Sequence, residues 1–208
     1  ARFLKRGLDI LFSGFAIIVL SPILLTIAIF VKIFIGSPIL FKQERTGKDD
    51  KRFKIYKFKS MKDMRDKDGV LLPDEQRICK FGEILRSSSL DELPELLNIF
   101  IGDMSFIGPR PLLERYIPYY TENEKDRNRV RCGLIPPEVI TYNITPSWEQ
   151  QLENEADYAR NVSFAMDFKI FFATFIVLFK RIRYGYGEYL RQPLDLERRK
   201  NKELVHHE

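Results

Sequence analysis

Cysteine is nearly absent from this chain. Only Cys79 and Cys132 occur among its 208 residues. Their spacing matches no metal motif and they could form at most one bridge, so neither disulfides nor structural zinc organise the fold. Low-complexity linker is lacking too, which leaves no boundary between two independent domains. A length of 208 residues suffices for one core of ordinary size plus an attached element. A reducing, cytosolic setting is expected for the polar part. Charge leans to one sign without being extreme: a formal +5 and a pI near 9.1 suit anionic partners, whether nucleic acid, lipid head groups or phosphorylated substrates. No nucleic-acid-binding motif accompanies it, and 29 acidic residues nearly match 34 basic ones, so nucleic acid is not expected as a partner.

What the chain has in excess is one apolar block. From Ile10 to Val31 there are 22 consecutive residues without a charge, and a bilayer span needs roughly 20. A single transmembrane helix is the plain reading. A cleaved signal peptide fits less well, since the run exceeds the usual apolar segment and no small-residue cleavage pattern follows. Two features point instead to a re-entrant hairpin. Ser21-Pro22 stands near the middle of the run, where Pro22 lacks an N–H and its ring crowds the carbonyl of Ile18. The Ser21 hydroxyl is a local partner for a freed carbonyl. Basic residues also flank both ends, with Arg2, Lys5 and Arg6 before and Lys32, Lys42, Arg45 and Lys48 after, and both flanks favour the cytoplasmic side.

In the polar part, Pro38 to Phe41 and Phe53 to Phe58 read as short strands around a turn at Gly47 to Asp50. Alternation would put Lys57 and Lys59 on one face with Ile55, which by itself describes a solvated basic edge strand. Pro73 to Arg86 is predicted to be one amphipathic helix, and Leu93, Leu96, Leu97 and Phe100 predict another that stops at Gly102. Ile170 to Phe179 is too short to span a bilayer; it suits either a helix lying in the membrane surface or a buried core helix. Beyond Gln192 the chain is charged and expected to fray, and the terminal His206-His207-Glu208 is expected to be a tag remnant.

Chemistry is suggested where Asp91 and Glu92 precede Pro94 at a helix start. If Asp91 is the N-cap, free N–H groups and the helix dipole would keep it ionised and would attract phosphate. An ionised carboxylate can attack phosphorus, and its neighbour Glu92 can hold Mg²⁺. An ordinary helix cap, with Ser89-x-x-Glu92 as a capping box, fits the same residues. In Gly108-Pro109-Arg110-Pro111 the two prolines stiffen the backbone around Arg110, which suits bidentate phosphate binding or a surface turn with one salt bridge. Arg86 is a second candidate for phosphate.

Five segments in this order resemble the bacterial sugar transferase family, the monotopic phosphoglycosyl transferases: Ser21-Pro22 in its apolar block, Phe41 to Gly47, Tyr56 to Met61, Arg86 to Pro94, and Gly102 to Pro111. The resemblance implies an α+β fold. Residues 1–36 would form a re-entrant membrane helix hairpin, and 37–192 a mostly helical cytosolic and interfacial catalytic domain with a small β-hairpin and interfacial amphipathic helices. Residues 193–208 would be a charged tail. It places the protein at the cytoplasmic face of the bacterial inner membrane among membrane lipids, with a UDP-sugar and polyprenyl (undecaprenyl) phosphate as substrates and Mg²⁺ as cofactor; a homo-oligomer stays open. Asp91 looks like the nucleophile, Glu92 the metal-binding carboxylate, and Lys57, Lys59, Arg86 and Arg110 phosphate-binding residues. The chain departs from the family pattern between Cys132 and Asn143, where Asn143 stands about where an arginine is expected, which implies a different mode of donor recognition there. The alternative is a noncatalytic, basic, membrane-anchored scaffold of a glycan assembly complex.

Overall fold

The computed structural model describes residues 2–143, 145–184 and 191–205; His206-His207-Glu208 lie outside the described residues. The chain groups into two compact units. One comprises Ala1–Arg6, Glu44–Phe53 and Asp103–Glu208, the other Gly7–Gln43 and Lys54–Gly102.

The second unit is built on α1, a helix running from Arg2 to Phe34 whose first residues belong to the other unit. Its 33 residues correspond to about 50 Å of helix. The stretch from Phe3 to Phe34 is long and apolar enough to cross a membrane. Pro22 lies inside it. The carbonyl of Ile18 accepts the Ser21 hydroxyl at 2.7 Å, as expected of that serine, and Thr26 Oγ1 donates to the Pro22 carbonyl at 2.8 Å. Ile27, Val31 and Ile35 fall four residues apart and form one buried stripe against Phe58 and Leu85. Most other large side chains of α1 face outward, Ile18 at 73% exposure among them. In water so long an apolar surface would be strongly unfavourable; in lipid it is matched to its solvent.

Strands β1 (Leu40–Thr46) and β2 (Arg52–Phe58) pair as a two-stranded sheet; the second lies where expected, whereas the first begins at Leu40 and runs on to Thr46 instead of spanning Pro38 to Phe41. The single helix predicted over Pro73 to Arg86 is interrupted. It becomes α2 (Asp74–Arg77) and α3 (Lys80–Ser87), with Ile78 extended between them. Ile78 pairs with Met61 in an antiparallel bridge, and Lys62 N donates to the Arg77 carbonyl at 3.0 Å, so a long-range partner takes the residue that periodicity assigned to a helix. Gly82 lets α3 close on this segment, since a Cβ there would lie 2.0 Å from the Ser60 carbonyl oxygen. Helix α4 (Glu95–Ile101) ends as expected at Gly102, whose φ of 112° is left-handed.

The other unit holds a feature absent from the sequence reading, a parallel pair of strands β3 (Met104–Ile107) and β4 (Cys132–Ile135), in register Met104 to Cys132 and Ile107 to Ile135. Helices α5 (Trp148–Arg160), α6 (Phe164–Tyr184) and α7 (Leu194–Val205) complete it. Ser147 and Gln150 form a reciprocal capping box at the start of α5. The stretch Ile170 to Phe179 bears out its reading as a core helix on one side, where Ile170, Ala173 and Val177 are buried with Tyr158, whereas Phe172, Phe175 and Phe179 on its other side are exposed. The charged segment beyond Gln192 carries α7 where fraying was expected. Leu194 is fully buried, and Arg198 grips both carboxylate oxygens of Glu124 at 2.7 and 2.6 Å, which gives a charged helix a fixed dock.

Candidate active site

The turn between α3 and α4 sets the geometry. At the end of α3 the Ile84 carbonyl accepts both the Ser88 backbone N–H at 3.0 Å and the Ser88 hydroxyl at 2.6 Å. Ser89 then takes a left-handed φ of 56°, and Leu90–Glu92 form one 3-10 turn before Pro94 opens α4. The capping box expected from Ser89-x-x-Glu92 does not form. Ser89 makes no side-chain cap bond, and Glu92 Oε1 instead accepts Lys57 Nζ at 2.6 Å, a charge-assisted bond that outcompetes a neutral cap.

Lys57 comes from β2 and lies between two carboxylates, Glu92 at 2.6 Å and Glu95 at 3.2 Å. Burial is the largest influence on its ammonium and opposes the charge, but Glu92, Glu95 and Asp91 together outweigh it and raise its pKa. Asp91 is 9% exposed. Burial pushes its carboxyl up to about 6, with the charge of Glu92 adding to the effect and Lys57 and Arg86 opposing it. The dipole expected to keep Asp91 ionised is thus outweighed by desolvation. Asp91 precedes a helix of only 7 residues and does not cap it.

Glu95, which the sequence reading missed, is 3% exposed, and burial pushes its carboxyl up to about 7 despite the nearby ammonium. The ion-pair distance and the raised pKa pull in different directions, and charge counting reconciles them. Three carboxylates share one close lysine, so the most buried of the three holds its proton longest. Its spacing was a usable signal, because Glu95 is i+4 from Asp91 and i+3 from Glu92. Asn98, fully buried one turn later, was also missed. Its amide clamps β2 by donating to the Lys54 carbonyl at 2.8 Å and accepting the Tyr56 N–H at 3.0 Å, thereby fixing the strand that carries Lys57.

The other residues proposed from sequence have distinct settings. Arg86 is exposed on α3, close enough to influence Asp91. Lys59, grouped with Lys57 by alternation, donates to Asp63 at 2.6 Å and to the Ser37 carbonyl at 3.1 Å. Ser21 and Pro22 lie within α1. Arg110 belongs to the other unit, where its Nε donates to Glu138 at 2.9 Å. Among the described residues no group of three or more His, Cys, Asp or Glu is arranged to hold a metal. Mg²⁺ commonly binds through one or two carboxylates plus substrate phosphates, and Glu92, partly exposed beside Asp91, fits that use.

Beside Leu93 and Pro94 lies a cavity of about 450 Å³, walled by apolar side chains that include Leu24 and Ala28 of α1, Ile39 and Phe58. Leu93 and Pro94, which line it, directly follow Asp91 and Glu92 in the chain.

Comparison with known proteins gives this arrangement a family. The bacterial sugar transferase family matches residues 1–181. The chain is 44% identical over 167 residues to the uncharacterized sugar transferase EpsL of Bacillus subtilis (strain 168), covering 80% of this chain and 83% of that protein. It is 36% identical over 191 residues to the exopolysaccharide production protein PSS of Rhizobium leguminosarum bv. phaseoli, covering 83% and 94%. It is 34% identical over 183 residues to the UDP-glucose:undecaprenyl-phosphate glucose-1-phosphate transferase of Escherichia coli (strain K12), covering 83% of this chain but 39% of that longer protein. With this coverage, the chain is a transferase and belongs to the bacterial sugar transferase family.

Proposed function

We propose that the protein transfers a sugar 1-phosphate from a UDP-sugar to polyprenyl phosphate through a covalent intermediate on Asp91, releasing UMP. The observation that carries this reading is the buried Asp91 beside the Lys57–Glu92 pair, in a segment whose next two residues, Leu93 and Pro94, line an apolar cavity. In the first step a carboxylate oxygen of Asp91 forms a bond to the phosphorus that bears the sugar. The bond from that phosphorus to the bridging oxygen breaks, and UMP leaves with the electron pair. In the second step a phosphate oxygen of the lipid attacks the same phosphorus, the aspartyl bond breaks, and the Asp91 carboxylate is regenerated. Lys57 and Arg86 offset the negative charge of the phosphates, and Lys59 and Arg110 are assigned to phosphate contacts by resemblance. Glu92 would hold Mg²⁺, which when bound would neutralise the diphosphate.

The exposed apolar faces of α1 and, separately, of α6 support a membrane location. The basic residues on both flanks of the apolar block support a re-entrant helix whose ends share the cytoplasmic face of the bacterial inner membrane. Relatives named for exopolysaccharide production support a first membrane step in polysaccharide or other glycoconjugate assembly.

The test is intact-protein mass measurement in nanodiscs with a panel of UDP-sugars and Mg²⁺ but no lipid acceptor. A phosphosugar adduct is expected, absent in Asp91→Asn. Steady UMP release after lipid is added, with no adduct at any stage, would reject the covalent scheme. Cysteine labelling at an engineered N-terminal position tests topology, and labelling from the periplasm alone would reject the re-entrant helix.

A further inference from the structure

Arg110 is fixed by its surroundings more fully than its flanking prolines require. Gly133 of β4 presses on Gly108 so closely that a Cβ on Gly133 would lie 2.0 Å from Gly108 N. Gly108 N donates to the Ile135 carbonyl at 3.1 Å, and Gly133 N donates to the Pro109 carbonyl at 2.9 Å. Arg110 N donates to Glu155 Oε1 at 2.9 Å, and its carbonyl accepts Arg127 Nη2. Glu155 and Arg127 are themselves paired at 2.6 Å with both side chains 0% exposed, so the backbone of Arg110 rests on a buried ionic platform. The side chain is held in turn by Glu138, whose Oε1 accepts Arg110 Nε at 2.9 Å. The Glu138 side chain is 5% exposed against 43% for Arg110, so the pair runs from the interior toward solvent.

Glu138 is a poor choice for stability alone. Its second oxygen, Oε2, is buried without a hydrogen-bond partner among the described residues, and an amide or apolar group there would avoid the desolvation of a carboxylate. A local rule broken in this way points to function. Glu138 also lies in the Cys132 to Asn143 segment, where the sequence reading expects a different mode of donor recognition.

We propose that Glu138 is a positioning residue which fixes the guanidinium of Arg110 for a phosphate of the nucleotide-sugar donor. The departing segment thus contributes to donor binding by orienting an arginine. This inference rests on the assignment of Arg110 to phosphate binding. The carboxylate makes no contact with substrate itself. It sets the direction of Nε and keeps a counter-charge behind the guanidinium, so that binding phosphate does not require the side chain to be ordered anew.

The test is a double-mutant cycle on the full chain in nanodiscs, with Glu138→Gln, Arg110→Ala and the pair, measuring UMP release from UDP-glucose and UDP-N-acetylgalactosamine. Thermal midpoints are recorded for each variant. Glu138→Gln keeps an acceptor for Nε and is nearly isosteric, so it is the variant expected to fold. It should raise the donor KM about tenfold, as for one charge-assisted contact, with a much smaller change in kcat. In the Arg110→Ala background it should have no further effect. Unchanged KM in Glu138→Gln, or independent losses that multiply in the double variant, would overturn the assignment even with an active wild type. A wild type inactive on every donor, with Asp91→Asn indistinguishable from it, would reject the transferase scheme itself and the positioning role with it.

Discussion

Asn98 offers the most direct test of how the site is held together. Its side chain is fully buried in α4 and makes two hydrogen bonds to neighbouring positions of β2, to the Lys54 carbonyl at 2.8 Å and from the Tyr56 N–H at 3.0 Å. Asn98→Ala removes both bonds and leaves a small void. Each neutral hydrogen bond contributes about 1 kcal/mol net, and a buried group left without a partner costs about 1–3 kcal/mol, so a loss of about 2–4 kcal/mol is expected. For a domain of this size that corresponds to a thermal midpoint lowered by roughly 5–15 °C. Asn98→Asp should be no better, because a carboxylate can accept from Tyr56 but repels the Lys54 carbonyl. Hydrogen exchange gives the local readout, with the Tyr56 amide losing protection well before the rest of the unit. Lys57 adjoins that amide, so UMP release should also fall at temperatures far below the midpoint. If Asn98→Ala melted within about 2 °C of wild type, with Tyr56 protection unchanged, the clamp would have no energetic role.

Three further outcomes follow from the charged groups. In the proposed scheme the Asp91 carboxyl, raised to about 6, would have to be ionised to attack phosphorus, so kcat/KM for UMP release should fall about tenfold per pH unit below 6. Glu92→Gln should move that acid limb lower and Lys57→Met should move it higher, because their charges act on Asp91 with opposite sign. Glu95 is raised from 4.5 to about 7 by burial, so the folded state binds more protons than the unfolded one between those values. Stability should therefore decline as pH rises through that window and level off above it. Glu95→Gln should flatten the decline in a midpoint-against-pH series, and an unaltered slope would contradict the burial argument. Arg127→Met strands the carboxylate of Glu155, with both side chains 0% exposed, and should cost about 3–5 kcal/mol in denaturant unfolding. Replacing both residues with apolar ones should recover part of that loss, less whatever the bonds from Glu155 to Arg110 N and Gln151 contribute.

What the sequence made legible was local. The α4 helix and its stop at Gly102 depend on neighbours within one or two turns, and both are present, although the helix buries Glu95, Leu96, Asn98 and Ile99 and leaves Leu97 and Phe100 of the expected stripe exposed. The same holds for the apolar run of α1 and for the Ser21 bond to Ile18. Readings failed where a distant partner decided. Ile78 fits the helical period but is taken by Met61, and Glu92 fits a capping box but is taken by Lys57, a residue 35 positions away. The parallel pair of β3 and β4 escaped notice because each strand has only four residues and its partner is nearly thirty positions distant, too little local signal to announce a pairing. The site was half legible for the same reason. Asp91 and Glu92 are contiguous, whereas the importance of Glu95, Asn98 and Glu138 is visible only once burial and long-range partners are known.

The charge count around Asp91 carries one more consequence for the proposed reaction. Asp91, Glu92 and Glu95 supply up to three negative charges, while the cations acting on Asp91 are Lys57 and Arg86. A diphosphate entering that field would meet net repulsion, and Lys57 is already engaged by Glu92 at 2.6 Å. Protonation of Glu95 relieves one charge near neutral pH but leaves Lys57 occupied. Glu92 would hold a divalent cation whose charge would offset the diphosphate, and Glu95, 3.2 Å from the Lys57 ammonium, would remain a partner for that lysine. In the proposed scheme Glu95 would be the resting partner of Lys57 and Glu92 would hold the metal. The dependence of donor binding on Mg²⁺ should then weaken in Glu92→Gln, where the carboxylate that opposes the diphosphate and the one that holds the metal are lost together.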